Sequence, residues 1–274
     1  MPALYIISTP IGNLEDISLR ALRLLDEVKL IAAEDTRTTR HLLKKYNIKT
    51  PITSYHEHNK LTKLDYLLNQ LTEGDIALVS DAGTPLISDT GYELITSAIQ
   101  YSIPVIPVPG PSAFLAALVA SGLPTDQFIF LGYLPRRKND RRKLLQSLAN
   151  EARTITAFEA PHRLLRSLND MLEILGNRSI AVCRELTKIH EEIFRGHITQ
   201  AIEYFRQPKG EFTLILQGKT RTEPEVNGFI EMELRRLHRN GVSARDAVAQ
   251  LSAKSGISKK RLYQAWLKQT NKGE

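Results

Sequence analysis

The sequence predicts an α/β protein: two α/β domains followed by a small basic domain that is all helix. Three observations carry that reading. Over the first 120 residues, short apolar runs alternate with stretches of helical periodicity. The same alternation resumes after a Ser-Gly-Leu-Pro-Thr linker at 121–125. Beyond Glu223-Pro224 the pattern is helical only and the charge turns basic. The domains so drawn are 1–120, 125–220 and 225–274. A chain of 274 residues, 42% of them hydrophobic, can bury cores of that number.

Each element has its own signal. Residues 3–8 (ALYIIS) form an unbroken apolar run of strand length. Residues 16–28 place Ile17, Leu19, Ala21, Leu22, Leu24 and Leu25 in a helical pattern. A strand at 30–33, a helix at 36–46 and a weak strand at 50–54 follow. At 60–71, Leu61, Leu64, Leu67, Leu68 and Leu71 share one helical face. Then come a strand at 75–80, a helix at 90–101, a proline-interrupted strand at 103–108 and a helix at 112–120. Such alternation predicts a mostly parallel sheet covered on both faces. In the second domain the strands are 128–132, 154–159, 179–183, 191–196 and 212–217. Its helices are 137–149, 161–175 and 199–205. In the last domain Val226, Phe229, Ile230, Leu234 and Leu237 form one face, closed by Asn240-Gly241. Ser243 to Asp246 has the capping-box form, and a Ser255-Gly256-Ile257 turn leads to a helix holding Leu262 and Trp266. The shape is that of a helix-turn-helix or a plain three-helix bundle.

Charge is unevenly placed. The net charge is +7, and residues 231–274 hold ten Lys and Arg against four Asp and Glu. Residues 136–143 carry six basic side chains and one acid, whereas 64–135 contain no Lys or Arg. A polyanion would meet the ends of this layout and not its middle. The single cysteine, Cys183, excludes an intrachain disulfide framework. No secretory signal is visible, and the longest uncharged run, 94–125, holds five prolines. We expect a soluble cytoplasmic protein.

In an open parallel sheet, ligands bind beyond the carboxyl ends of the strands. Four turns at such ends are rich in Gly, Pro, Ser and Asp: 9–14, 34–37, 80–89 and 109–113. Glycine admits close backbone approach, and proline stiffens a loop before binding. No dinucleotide or P-loop fingerprint is present. Because the middle of the chain lacks Lys and Arg, a phosphate-free cofactor with a carboxylate, an amine and a purine suits these turns and Asp81.

The motifs Ile7-Ser8-Thr9-Pro10-Ile11-Gly12-Asn13-Leu14, Glu34-Asp35-Thr36-Arg37, Ser80-Asp81-Ala82-Gly83-Thr84-Pro85 and Pro109-Gly110-Pro111-Ser112-Ala113 resemble the tetrapyrrole methylase family. The resemblance continues through Phe158-Glu159-Ala160-Pro161-His162-Arg163 and Arg184-Glu185-Leu186-Thr187-Lys188, and is nearest to the branch that acts on ribosomal RNA. It implies a homodimer, two α/β domains with S-adenosylmethionine in the cleft between them, and 2′-O-methylation of a decoding-centre cytidine in 16S rRNA. Carried over by motif, Ile11 and Gly12 line the cofactor edge. Asp81, Gly83, Leu86 and Ile87 form its floor, Ser112 and Ala113 touch the methionine or ribose part, and Phe158, Glu159 and Ala160 close it. The first turn departs from the more glycine-rich loop of the porphyrin-type relatives.

The reaction so implied needs alignment of a ribose oxygen and no metal; a positioned base adds about 10²–10⁴-fold. Asp35 or Glu34 is the candidate base or orienter. Arg184, Glu185 and Lys188 form a third polar group, of which Glu185 and Lys188 read better as an ion-pair network. Candidate RNA contacts are Arg37, Arg136, Arg137, Lys138, Arg141, Arg142, Lys143 and Arg163, with Lys259, Lys260 and Arg261 in the last domain. Trp266 reads as core. Two other readings stand beside this one: methylation of a porphyrin or corrin, and a non-catalytic RNA-binding assembly factor.

Overall fold

The computed structural model describes residues 2–220 and 226–270; the Glu223-Pro224 break and the last four residues lie outside them. The chain divides into two compact units, 1–219 and 220–274.

The first unit contains two five-stranded sheets. The first sheet is built from β1 (Leu4–Ile7), β2 (Leu30–Ala33), β3 (Ile52–Ser54), β4 (Ile76–Val79) and β5 (Val105–Val108). Their order is β3-β2-β4-β1-β5, and every pairing is parallel. β2 and β4 are buried at every position, as strands covered on both faces must be. The connecting helices are α1 (Leu19–Glu27), α2 (Thr36–Lys45), α3 (Lys60–Glu73) and α4 (Tyr92–Gln100). Side-chain caps fix two of their starts. Ser18 accepts from the Ala21 amide and Asp35 from the Arg37 amide.

The second sheet holds β6 (Phe128–Tyr133), β7 (Thr154–Glu159), β8 (Ser179–Arg184), β9 (Glu192–His197) and β10 (Phe212–Leu216), in the order β6-β7-β10-β8-β9. Only β6 and β7 run parallel; the other three pairings are antiparallel. Helices α6 (Lys138–Ser147), α7 (Leu164–Leu175) and α8 (Ile198–Tyr204) accompany this sheet, the last two packed together on its core cluster.

Helix α5 (Ala113–Ala120) joins the two halves. Its sequence, AFLAALVA, is apolar on all sides, a pattern that calls for cover on more than one face. Ala117 and Leu118 pack with Ile11 from the first half and with Ala181, Cys183, Leu186 and Ile215 from the second.

The second unit is three helices, α9 (Gly228–Arg239), α10 (Ala244–Ser255) and α11 (Lys259–Thr270). Its core contains Leu234, Leu237, Leu251, Leu262 and Trp266, so Trp266 is core. Gly256 ends α10 in the left-handed conformation, at φ 70°, which makes the short turn into α11 possible without strain. No helix among the described residues is long and apolar enough to cross a membrane.

Candidate active site

Because all five strands of the first sheet run parallel, the four turns named above emerge along one rim. They are tied to one another there. Thr9 and Gly83 exchange backbone hydrogen bonds of 2.8 and 2.9 Å, pinning the turn after β1 to the turn after β4. The Thr9 hydroxyl adds a bond to the Ser80 carbonyl at 3.3 Å. Ser8 and Thr84 share a hydroxyl hydrogen bond at 2.9 Å, and the Thr84 hydroxyl donates to the Pro111 carbonyl at 3.3 Å, which brings in the turn after β5. The Asp35 amide donates to Asp81 at 2.8 Å, which brings in the turn after β2.

The turn after β4 holds three residues with positive φ: Gly83 at 80°, Leu86 at 72° and Ser88 at 71°. Two of them carry side chains, a conformation that costs of order 1 kcal/mol and more for each and persists only where surrounding contacts impose it. Gly132 approaches this turn from the other half. A bulge there, with Gly132 at φ 64°, shifts the β6–β7 register between Phe130 and Tyr133. A Cβ at position 132 would lie 2.9 Å from the Ser88 hydroxyl oxygen, so only glycine fits.

Between the halves lies a cleft of about 390 Å³. The first half lines it with Ile11, Glu34, Asp81, Gly83, Ile87, Asp89, Ser112 and Ala113; the second adds Tyr133, Phe158, Ala160 and Thr213. One wall is aromatic. Phe158 meets Phe130 and Tyr133 at 5.2 and 5.4 Å between ring centres, and Phe130 stacks on Phe114 at 4.5 Å. A wider opening of about 750 Å³ adjoins it, sharing Ile11, Asp81, Ala82 and Glu211 and adding Gly12, Asp35, Arg37, His41 and Lys188.

Among the described residues no Lys or Arg lines the cleft itself, and three of its carboxyls are hard to ionise. Burial, and then the Asp81 charge, push the Glu34 carboxyl above its ordinary range. Burial raises Asp81 in the same direction. Asp89 is pushed up to about 7, by burial first and by the Glu34 charge second. The Cys183 thiol, at the cleft floor, is raised to about 11 by burial, which makes it a poor nucleophile. Carboxylates, exposed turn backbone and an aromatic wall fit a cationic, purine-bearing cofactor of the S-adenosylmethionine type.

The structure separates the expected site residues. Ile11, Asp81, Gly83, Ile87, Ser112, Ala113, Phe158 and Ala160 stand at the cleft, and Gly12 at the adjoining opening. Leu86 does not: its side chain packs into the core of the first half, beside Gly91. Glu159 is buried and its oxygens are engaged. It pairs with Arg163 at 2.7 Å, accepts from the Ala160 amide at 2.8 Å and bonds the Ser167 hydroxyl. It lines the cleft with its carboxylate oxygens already engaged. Arg163, buried with it and bonded to the Leu134 carbonyl, is not an RNA contact.

Two more basic residues change role. Arg141 is 3% exposed and its guanidinium pairs with Asp170 at 2.6 Å. Arg142 pairs with Asp170 at 3.1 Å and Glu173 at 2.5 Å. Arg141 is engaged inside the fold and Arg142 in a partly exposed ion-pair network, against the expectation of phosphate contact. Arg136, Arg137, Lys138, Lys143, Lys259, Lys260 and Arg261 are exposed. Lys188 pairs with Glu185 and Glu211, each at 3.0 Å, the ion-pair network expected of Glu185 and Lys188, and Arg184 pairs with Glu192 at 3.0 Å.

The two catalytic candidates also part. Asp35 caps α2 and is bridged by Arg37 at 2.6 Å, which lowers its carboxyl to about 2 and makes it a weak base. Glu34 faces the cleft. Asp89 was missing from the sequence candidates, although its motif was in view. Its approach to Glu34 depends on the path of a turn whose left-handed Leu86 and Ser88 carry no local signature.

Residues 3–202 match the family model of tetrapyrrole (corrin/porphyrin) methylases. A protein of Halalkalibacterium halodurans named ribosomal RNA small subunit methyltransferase I is 46% identical over 276 residues, covering 95% of this chain and 93% of its own. A Synechocystis protein of the same name is 48% identical over 272 residues, covering 96% and 97%. Among solved structures, uroporphyrin-III-C-methyltransferase from Thermus thermophilus superposes with a TM-score of 0.55 at 18% identity, over 79% of this chain and 94% of that one, a likeness of fold.

Proposed function

This chain belongs to the tetrapyrrole (corrin/porphyrin) methylase family, and from that premise we propose that it methylates ribosomal RNA of the small subunit, using S-adenosylmethionine. The finer reading is 2′-O-methylation of a cytidine ribose in the decoding centre. The observation that carries the methyl-transfer reading is the knitted rim: four turns tied together beside a cleft with carboxylates, an aromatic wall and, among the described residues, no Lys or Arg.

When bound, S-adenosylmethionine supplies a methyl group on a sulfonium, whose sulfur leaves as a neutral thioether. The residues fit such a ligand in three ways. Glu34, Asp81 and Asp89 line the cleft as carboxyls that suit a positive charge. The backbone at Gly83 and Ser112 lies at the surface of the cleft. Phe158 and Tyr133 line the cleft with aromatic rings that suit a purine.

The chain's own part is orientation and proton removal. Glu34 is the base: a half-buried carboxylate with a raised pKa accepts a proton more readily than Asp35, which Arg37 holds low. A Glu34 carboxylate oxygen would accept the proton of a 2′-hydroxyl aligned at the cleft. Asp35, whose backbone N–H donates a hydrogen bond to the Asp81 carboxylate, fixes the turn that presents Glu34. Exposed Arg37, Arg136, Arg137, Lys138 and Lys143 contact phosphates, as do Lys259, Lys260 and Arg261 of the helical unit. The enzyme works in the cytoplasm as a homodimer; the exposed Leu115 and Val119 of α5 are an apolar surface that a second copy would cover.

The test is methyl transfer from labelled S-adenosylmethionine to undermethylated small ribosomal subunits, followed by digestion and mass spectrometry. A 2′-O-methylated cytidine is expected. Label found on uroporphyrinogen and absent from subunits would overturn the reading, and absence of cofactor binding would favour an assembly factor.

A further inference from the structure

We propose that the outer face of α2, continued by Lys49, is a surface that grips the RNA backbone leading to the cleft. This rests on the ribosomal RNA reading above and adds a part of the molecule to it.

Helix α2 buries Thr39, Leu42 and Leu43 and exposes Arg37, Arg40, His41, Lys44 and Lys45. Positions 37, 40 and 44 are spaced by one helical turn each, so the cations form a row about 10 Å long. From Thr36 to His56 the sequence has no Asp or Glu. Among the described residues, Arg40, Lys44, Lys45 and Lys49 form no ion pair. The basic helix α6 differs: there Arg141 and Arg142 are neutralised by Asp170 and Glu173. The free positive charge of the first unit therefore lies on α2 more than the sequence alone suggests.

Placement gives the row a direction. It starts at the rim, where Arg37 lines the opening next to the cleft. It ends at an open groove of about 520 Å³, where Arg40, Lys44 and Lys49 stand around Leu43, Ile48 and Ile52. A nucleotide whose ribose enters the cleft is part of a strand that must continue past the rim. Cations at intervals along the strand, with an apolar floor at the far end for a sugar or a base, match single-stranded RNA. A smaller anion would not need a row of this length.

The test uses the full chain with Arg40→Gln, Lys44→Gln and Lys49→Gln combined. A control variant removes equal charge from exposed positions of the other half: Arg166→Gln, Arg206→Gln and Lys209→Gln. Affinity for small ribosomal subunits is measured across a salt series, with S-adenosylmethionine affinity by calorimetry. We expect the α2 variant to bind subunits at least tenfold more weakly than the control. Its log–log salt slope should fall by about 2, the counterion release of three phosphate contacts on a single strand. Cofactor affinity and kcat at saturating subunits should be unchanged. Equal affinities for the two variants would overturn the proposal. So would loss of binding to phosphatidylserine vesicles with subunit affinity intact, which would make the surface a lipid contact. A wild-type protein that binds subunits but transfers no methyl group would remove the catalytic reading, and the salt series would still decide the role of α2.

Discussion

Gly12 lies against Lys188 so closely that a Cβ at position 12 would stand 2.5 Å from the Lys188 Cγ. Gly12 follows β1 and Lys188 follows β8, so this contact sets how nearly the two α/β halves approach at the mouth of the cleft. The loop from the second half is itself anchored. Lys188 is held between Glu185 and Glu211, and Thr187 accepts from the Asn13 amide at 3.0 Å.

A methyl group at position 12 therefore has nowhere to go. It would also stand 2.9 Å from the Thr187 hydroxyl and 3.1 Å from the Leu186 carbonyl. Gly12→Ala should cost about 1–3 kcal/mol, the usual range for overpacking. It should also widen the cleft and weaken S-adenosylmethionine binding by about tenfold. Thermal unfolding and calorimetry check the two effects. Wild-type values in both would mean that the 184–191 loop moves aside freely.

The carboxyls of the cleft give a pH signature. Asp89 has a folded pKa of about 7, above its ordinary 3.8, because it is buried near the Glu34 charge. A carboxyl raised in the folded state favours folding while protonated. Its contribution is full below about pH 4 and is lost as pH rises toward 7. Asp89→Asn should flatten the decline in thermal stability over that window. Activity runs the other way, because Glu34 must be ionised to accept a proton. Asp89, raised by burial and by the Glu34 charge, ionises after Glu34, so Asp89→Asn should leave the acid limb of kcat/KM in place. Glu34→Gln should lower kcat by about 10²–10⁴-fold with cofactor affinity retained, and Asp35→Asn by less. Equal losses from the two substitutions under single turnover would reassign the base.

Arg141 and Asp170 make a buried pair that looks from the sequence like part of an RNA-binding run. Arg141→Met should destabilise by about 3 kcal/mol, the lower end for breaking such a pair, because Arg142 still faces Asp170. Lys143→Gln, two positions on and exposed, should leave the unfolding midpoint unchanged. Chemical denaturation separates the two. A small effect of the first substitution would return Arg141 to the set of phosphate contacts.

These cases show what the sequence could carry. The apolar runs of β2 and β4 are legible because a strand buried on both faces needs no polar alternation. The rim turns are legible because Gly, Pro and Ser mark backbone conformations locally. Direction is another matter. An apolar run such as FTLIL in β10 has the same composition whether it pairs parallel or antiparallel, so the mixed second sheet left no trace. Partners distant in the chain were equally invisible. Arg141 reads as surface until Asp170, 29 positions later, is seen beside it. Glu159 reads as a ligand until Arg163 and Ser167 occupy its oxygens.

The helical unit offers the last prediction. Every residue assigned to the cleft precedes Lys219, within the first compact unit, while residues 220–274 have a core of their own. Removing 220–274 should leave cofactor affinity and the unfolding midpoint of the remainder near wild type. Affinity for small subunits should fall by tenfold or more, with a shallower salt dependence, because Lys259, Lys260 and Arg261 leave with the unit. Trp266→Ala in the full chain provides a check that deletes no charge. Trp266 is 6% exposed in a core of three helices and meets His238 edge to face at 5.1 Å. Its truncation should cost about 3–5 kcal/mol, as much as so small a core can supply. The unit should then unfold and RNA affinity should fall nearly as far as in the deletion. Full affinity in the Trp266→Ala protein would mean that the basic residues act as an unstructured tail, with no requirement for the helical shape.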